Sequence, residues 1–196
     1  MNSSTISYYE KHAAEYFNQT VNADMSHLYT PFLERVRSGG SILDAGCGSG
    51  RDLLAFAKKG FNVMGIDASA QLARMASSYS GAPVKVIDFS EMSFKDCFDG
   101  IWACASLLHI EKSELQNVLC NFRKALVHGG VLFASVREGT GTRVGSGGRA
   151  YTLYSVIEFK QHIIDAGLEL DLVWVTSDVL ERREKLSWIN ILAKKP

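Results

Sequence analysis

The stretch Ile42-Leu43-Asp44-Ala45-Gly46-Cys47-Gly48-Ser49-Gly50 decides the fold. A short apolar run leads to an acid and then to glycines at alternate positions. This reads as a buried strand ending in a tight turn with no side chains in the way, where a ligand can approach the main chain closely. Arg51 to Lys59 has helical spacing, so the turn opens onto a helix N-terminus with unpaired N–H groups and a partial positive charge. Strand, glycine turn and helix together make a nucleotide-type site at the edge of a parallel sheet. The spacing is G-x-G-x-G, whereas the dinucleotide fingerprint is G-x-G-x-x-G.

The composition fits one globular domain over residues 1–196, since 196 residues with 46% hydrophobic side chains can bury a sizeable core. Lysine plus arginine equals aspartate plus glutamate at 21 each, which speaks against a protein that grips nucleic-acid backbones. Cys47, Cys97, Cys104 and Cys120 show no C-x-x-C spacing and read as small, reduced residues of a cytoplasmic protein, with no metal bound. The polar N-terminus carries no apolar signal-peptide run, and no apolar stretch approaches membrane-spanning length.

Working outward, residues 1–37 are helical and aromatic-rich, with Pro31 expected in or just before a helix's first turn. Strands follow at Ser41–Asp44, Asn62–Asp67, Val84–Ile87, Phe98–Cys104 and Val131–Val136. Helices alternate with them at Asp52–Lys59, at Ser69–Ser78 with Ser69 as N-cap, and at Glu111–Leu126, closed by His128-Gly129-Gly130. Glu138–Gly148 reads as a mobile glycine-rich loop, Leu153–Ala166 as the last helix, and Leu168–Val175 with Ser187–Ala193 as a terminal antiparallel pair. This alternation predicts an α/β fold: a doubly wound, mostly parallel seven-stranded sheet with a C-terminal antiparallel hairpin. Ligands bind such sheets beyond the strands' carboxyl ends, at the switch in strand order.

Two acids stand at those ends. Asp67 follows Gly46 by about 20 residues, the interval expected of a carboxylate that accepts from both hydroxyls of a ribose. It could instead only cap the next helix. Asp88 closes the third strand beside Phe89 and could accept from an adenine amino group while the ring packs nearby, or serve as a turn aspartate.

Asp44-Ala45-Gly46-Cys47-Gly48-Ser49-Gly50 resembles the first motif of class I S-adenosylmethionine-dependent methyltransferases. Asp67 falls where that family's ribose-binding acid falls, and Asp88-Phe89 where its adenine-contacting pair falls. Phe98-Asp99-Gly100-Ile101-Trp102 is similar to its strand-four motif, and Leu126-Val127-His128-Gly129-Gly130-Val131-Leu132 to its turn into strand five. The Tyr9…Ala13…Tyr16 pattern resembles the N-terminal helices of the small-molecule, tellurite-resistance type, in which this segment closes over the cofactor. The resemblance implies a Rossmann-like core over 38–196, a helical lid over 1–37, and S-adenosylmethionine as cofactor. It implies cofactor contacts from Tyr16 (toward the methionine carboxylate), Asp44, Gly46, Cys47, Gly48, Gly50, Asp67, Ala68, Asp88, Phe89 and Ala105. Tyr16 is otherwise one more aromatic at helical spacing.

After strand four, Ala103-Cys104-Ala105-Ser106-Leu107-Leu108-His109 replaces the Asn/Asp-Pro-Pro-Tyr turn of amino-methylating enzymes for DNA bases. The titratable side chain there is His109, a candidate base for an acceptor hydroxyl, thiol or amine, or a histidine that bonds locally at a helix start. The expectation is methyl transfer to O, N or S of a small molecule by a monomer or homodimer, without nucleic-acid or membrane partners. Two other readings stand beside it: an inactive S-adenosylmethionine-binding module or partner subunit, and a nicotinamide-dependent oxidoreductase, which the G-x-G-x-G spacing disfavours.

Overall fold

The computed structural model describes residues 3–179 and 186–196. Helices α1 (Ser3–Thr20) and α2 (Ser26–Leu33) precede an alternating core. That core runs β1 (Ser41–Ala45), α3 (Arg51–Lys58), β2 (Asn62–Asp67), α4 (Ala70–Ser80), β3 (Val84–Val86), β4 (Phe98–Ala103), α5 (Lys112–Ala125) and β5 (Leu126–Arg137). Then come a ribbon of β6 (Thr142–Val144) and β7 (Ala150–Thr152), helix α6 (Val156–Asp165), and strands β8 (Glu169–Ser177) and β9 (Ser187–Lys194).

The main sheet has seven strands in the order β3-β2-β1-β4-β5-β9-β8. β1 to β5 are parallel, and β9 runs antiparallel between β5 and β8. The expected fold class is thus the observed one. The order reverses between β1 and β4, which pair in parallel through Asp44 and Trp102. Their carboxyl ends, Ala45-Gly46 and Ala103-Cys104-Ala105, therefore flank the crevice where doubly wound sheets bind ligands.

Central strands are buried on both faces and so read as nearly continuous apolar runs. Leu43, Ile101, Leu132 and Ile191 pack with residues of α5 and α6 on one face. Ile42, Trp102, Phe133 and Leu192 pack with Phe32 of α2 and Phe56 of α3 on the other. Trp102 stacks on Phe133 with ring centroids 3.9 Å apart. Beneath this aromatic layer the buried Asp52 carboxylate accepts from Trp102 Nε1 at 2.8 Å, from Tyr29 Oη, and from Arg51 Nε and Nη2. Against the cost of burial, the Arg51 charge and these donors hold its pKa below the usual carboxylate value.

Several boundaries differ from expectation. Pro31 lies inside α2, near its end rather than in its first turn, where the missing N–H costs one bond of a short helix. Glu138–Gly148 is not simply a loop: Thr142–Val144 pairs with Ala150–Thr152, and glycines with positive φ at 141, 147 and 148 make the bends that the ribbon needs. The last helix starts only at Val156, because Tyr154 N still bonds to Arg137 O and Ser155 caps the helix by accepting from Glu158 N. β5 begins at Leu126, directly after α5, with its register to β4 shifted ahead of Gly100. Cys97 is exposed, while Cys47 is buried and Cys104 and Cys120 are partly so; all are free thiols.

Removing one partner of a buried ion pair leaves the other charge stranded. Asp52→Ala should therefore lower unfolding free energy by about 3–5 kcal/mol, and Tyr29→Phe by about 1 kcal/mol. Urea denaturation of the two variants checks both the size and the order of the effects.

Candidate active site

The glycine turn folds as its residues dictate. The amides of Gly46 and Cys47 both donate to Ile66 O, tying the turn to β2. Gly48, at φ +53°, lies beneath the Tyr16 ring, and a Cβ there would stand 3.1 Å from Tyr16 Cε1. Gly50, at φ +76°, begins α3 and packs so closely on α4 that a Cβ would meet the Ala76 main chain at 2.8 Å. The turn is thus pressed between β2, α1 and α4, and its upper surface is main chain.

Two adjoining cavities lie beside the turn, and the inner one touches it. The inner one is lined by Gly46, Gly48, Asp67, Ala68, Ser69 and Ser106 together with Tyr9, Tyr16, Ala105 and His109. The outer one lies under the β6–β7 ribbon and includes Arg51, Arg137, Arg149, Tyr151, Trp188 and Asn190. Tyr9, Tyr16, Ala105 and His109 line both, and so form the wall between them.

The structure gathers most of the sequence-derived residues here. Asp67 accepts from Gly48 N and from Ser69 N, each at 2.9 Å, so it braces the turn and opens α4 with the same carboxylate. Burial lifts its pKa to about 6 against those hydrogen bonds. Asp44 is buried behind the turn, where Oδ2 has no hydrogen-bond partner among the described residues. Burial, reinforced by the Asp52 charge, pushes its pKa well above the usual value. The Cys47 side chain points away into a small apolar cluster with Leu53 and Ala76. Phe89 is buried, packs edge-on to Phe122, and lies 3.4 Å from where a Gly46 Cβ would be. Asp88 stands apart: it caps a single turn by accepting from Ser90 N and Oγ and borders a separate cleft with Asn117 and Asn121.

His109 is buried in a single helical turn after β4. Nδ1 bonds to Ala150 O at 2.9 Å, which fixes the tautomer with the proton on Nδ1. Nε2 then accepts from Tyr9 Oη at 2.9 Å. Burial is the main cause that lowers the His109 pKa to about 4, with the Arg149 and Arg137 charges adding to it. The imidazole is therefore neutral at pH 7. Desolvation likewise raises the Tyr9 pKa, which keeps the phenol protonated. Among the described residues no group of three or more His, Cys, Asp or Glu could hold a metal ion, and no helix is long and apolar enough to cross a membrane.

Arg51 and Asn190 escaped assignment from sequence, Asn190 because it sits in an ordinary strand pattern. Tyr9 is legible there as a pocket aromatic but not as a partner of His109. Arg149, with Arg137 and Arg143, reads either as an anion-binding cluster of the glycine-rich stretch or as part of a solvated loop. Trp102 and Tyr154 are core residues with no exposed surface.

Residues 42–130 match the family model described as a methyltransferase domain. No curated protein matches the chain by sequence. Among solved structures, a S-adenosylmethionine-dependent methyltransferase from Methanosarcina mazei is similar at 21% identity and TM-score 0.76, over 85% of this chain and 97% of that one. The 1,6-didemethyltoxoflavin-N1-methyltransferase of Burkholderia thailandensis, solved with 1,6-didemethyltoxoflavin and S-adenosylhomocysteine, is 22% identical at TM-score 0.77, over 98% and 86%. A putative methyltransferase of Haloferax volcanii, in complex with the Trm112 activator, is 18% identical at TM-score 0.77, over 98% and 97%. The match to the methyltransferase-domain model thus covers the first strands and the glycine turn, and the seven-stranded sheet with its antiparallel end pair is the fold of these methyltransferase structures.

Proposed function

We propose that this enzyme methylates O, N or S of a small-molecule acceptor, in the manner of the tellurite-resistance type that its N-terminal segment resembles. It would work in the cytoplasm as a monomer or homodimer. The carrying observation is the shared wall: a donor over the glycine turn and an acceptor under the ribbon can meet only at Tyr9, Tyr16, Ala105 and His109. Residues 1–37 act as the lid, since α1 supplies both tyrosines of that wall.

The residues fit the donor. Gly46, Gly48 and Gly50, with the Cys47 main chain between them, leave a surface free of Cβ atoms for its methionine part. The orphaned Asp44 Oδ2 faces a missing hydrogen-bond donor, which the methionine ammonium group supplies. Asp67, with Ala68 beside it, takes the ribose hydroxyls, Tyr16 the methionine carboxylate, and the Ala105 backbone borders the reacting end. Phe89 flanks the adenine, and Asp88 takes its amino group in place of Ser90. Bound there, S-adenosylmethionine supplies a methyl group on a charged sulfonium, which departs as a neutral thioether.

The chain's main contribution is to hold the partners in line and exclude water. As the new bond to the methyl carbon forms, the acceptor's own proton becomes strongly acidic, so a weak base suffices to take it. His109 Nε2 takes that proton, directly or through Tyr9 Oη, which passes its own proton to Nε2 as it accepts the other. Nδ1–H stays on Ala150 O throughout and holds the ring in place.

Asp67→Ala should weaken S-adenosylhomocysteine binding by about 1.5–3 kcal/mol, and Gly48→Val should abolish it, as read by calorimetry. Ribose hydroxyls donate to the ionised carboxylate, so affinity should fall as pH drops through about 6, where Asp67 gains a proton. Asp67→Ala should remove that dependence. An unchanged affinity in Asp67→Ala takes this residue out of the site.

His109→Ala should lower kcat by about 100-fold or more while leaving S-adenosylhomocysteine affinity intact. In the wild type kcat should stay level down to about pH 5, because the imidazole stays neutral until about pH 4. Full turnover in His109→Ala would leave positioning alone to explain catalysis. Mass spectrometry of a metabolite extract incubated with methyl-labelled donor should find the label in small molecules; far stronger labelling of tRNA, DNA or protein would overturn the small-acceptor reading.

A further inference from the structure

The outer cavity has a polarity of its own. Arg149 projects from the ribbon, with its guanidinium carbon 4.2 Å from the Tyr8 ring centroid and 5.5 Å from that of Tyr151. Arg137 lies 4.5 Å over Tyr151 and 5.6 Å over Trp188. Stacking uses a guanidinium's faces and leaves its in-plane N–H groups for hydrogen bonds, one of which Arg149 spends on the Tyr9 phenol. Arg149 forms no ion pair among the described residues, and its buried Nε has no hydrogen-bond partner among them. The Arg51 charge in the same cavity is answered by Asp52, and Asp178 on its rim accepts from Trp188 Nε1.

Asn190 adds a second demand. It is fully buried in β9 and is among the residues that line this cavity. Its Nδ2 donates to Thr176 Oγ1 at 3.0 Å and to Trp188 O at 3.3 Å. A carbonyl can only accept, so the amide's orientation is determined, and Oδ1 is the end with no partner among the described residues. A buried acceptor without a donor is costly unless a ligand supplies one.

From these two unmet groups, between the flat walls of Tyr9, Tyr151 and Trp188, we infer that the acceptor is a flat aromatic molecule carrying an oxyanion, carboxylate or phosphate. The oxyanion lies on Arg149, and an O–H or N–H of the ring system donates to Asn190 Oδ1. This inference rests on the proposed use of the outer cavity as the acceptor site.

The test is calorimetry of the wild-type protein, alone and saturated with S-adenosylhomocysteine, against benzoate, phenyl phosphate, 3- and 4-hydroxybenzoate and the neutral isostere benzamide. The expected result is binding of an oxyanion form at least about tenfold tighter than benzamide. Benzoate against phenyl phosphate then tells which oxyanion the cavity takes. Arg149→Gln should erase the preference and Arg149→Lys restore part of it, with S-adenosylhomocysteine affinity unchanged in both. One hydroxybenzoate should bind tighter than benzoate, and Asn190→Val should lose that gain. Equal binding of benzamide and the oxyanions, a preference that survives in Arg149→Gln, or no arene binding at all would overturn the inference. Failure to bind S-adenosylhomocysteine would strike the donor assignment instead, and the arene titration of the protein alone still decides this one.

Discussion

The Asp52 carboxylate is the interaction on which much of this structure hangs. It sits in the first turn of α3 and draws donors from three directions: Tyr29 of α2, Trp102 of β4 and its own neighbour Arg51. A buried carboxylate is tolerable only when fully solvated by such donors. In satisfying it, the chain ties α2 to the sheet, orients Trp102 for its stack on Phe133, and sets Arg51 at the mouth of the outer cavity. The glycine turn lies one residue upstream of Arg51, so the geometry of the site and the packing of the aromatic layer share one anchor.

A second constraint is the closure of the site by elements distant in sequence. Ser4 Oγ donates to Gly148 O, Ala150 N donates to Thr5 Oγ1, and Tyr9 Oη donates to His109. The first helix and the β6–β7 ribbon thus hold each other over the crevice, and the histidine is desolvated because both cover it. The low pKa of His109 follows from this cover, since a buried imidazole has little water to stabilise its charged form. The same burial in a drier, more acidic neighbourhood raises Asp44 and Asp67. One site therefore holds a neutral histidine and proton-prone carboxylates for a common reason.

The two cavities differ in chemistry. The inner surface is main chain and carboxylate, and the outer one is guanidinium, amide and aromatic ring. Tyr9, Tyr16 and His109 meet both surfaces, so the proposed roles of these three depend on both cavities at once.

Local sequence determined the parallel core. Ile42 to Gly50 specifies a strand, a turn free of Cβ atoms and a helix start. The strand end at Asp67 follows from an apolar run that stops at an acid, whereas β3 already stops at Val86 and leaves Asp88 to cap the next turn. Ser69 was recognisable as a cap because capping is a contact between residues three apart. What the tertiary structure alone decided lies at larger separations. The ribbon that starts within Glu138–Gly148 was hidden because its strands have only three residues each and the glycine-rich turn between them has the composition of a loop. Tyr9 and His109 are 100 residues apart, and neither pattern nor propensity says that a phenol from the first helix meets that imidazole. Asn190 looks like any polar residue of a strand until the sheet sets it, buried, between Ser135 of β5 and Trp174 of β8. Periodicity and turn chemistry act over a few residues, whereas burial, and with it every shifted pKa and unmet hydrogen bond in the site, exists only once the chain has packed.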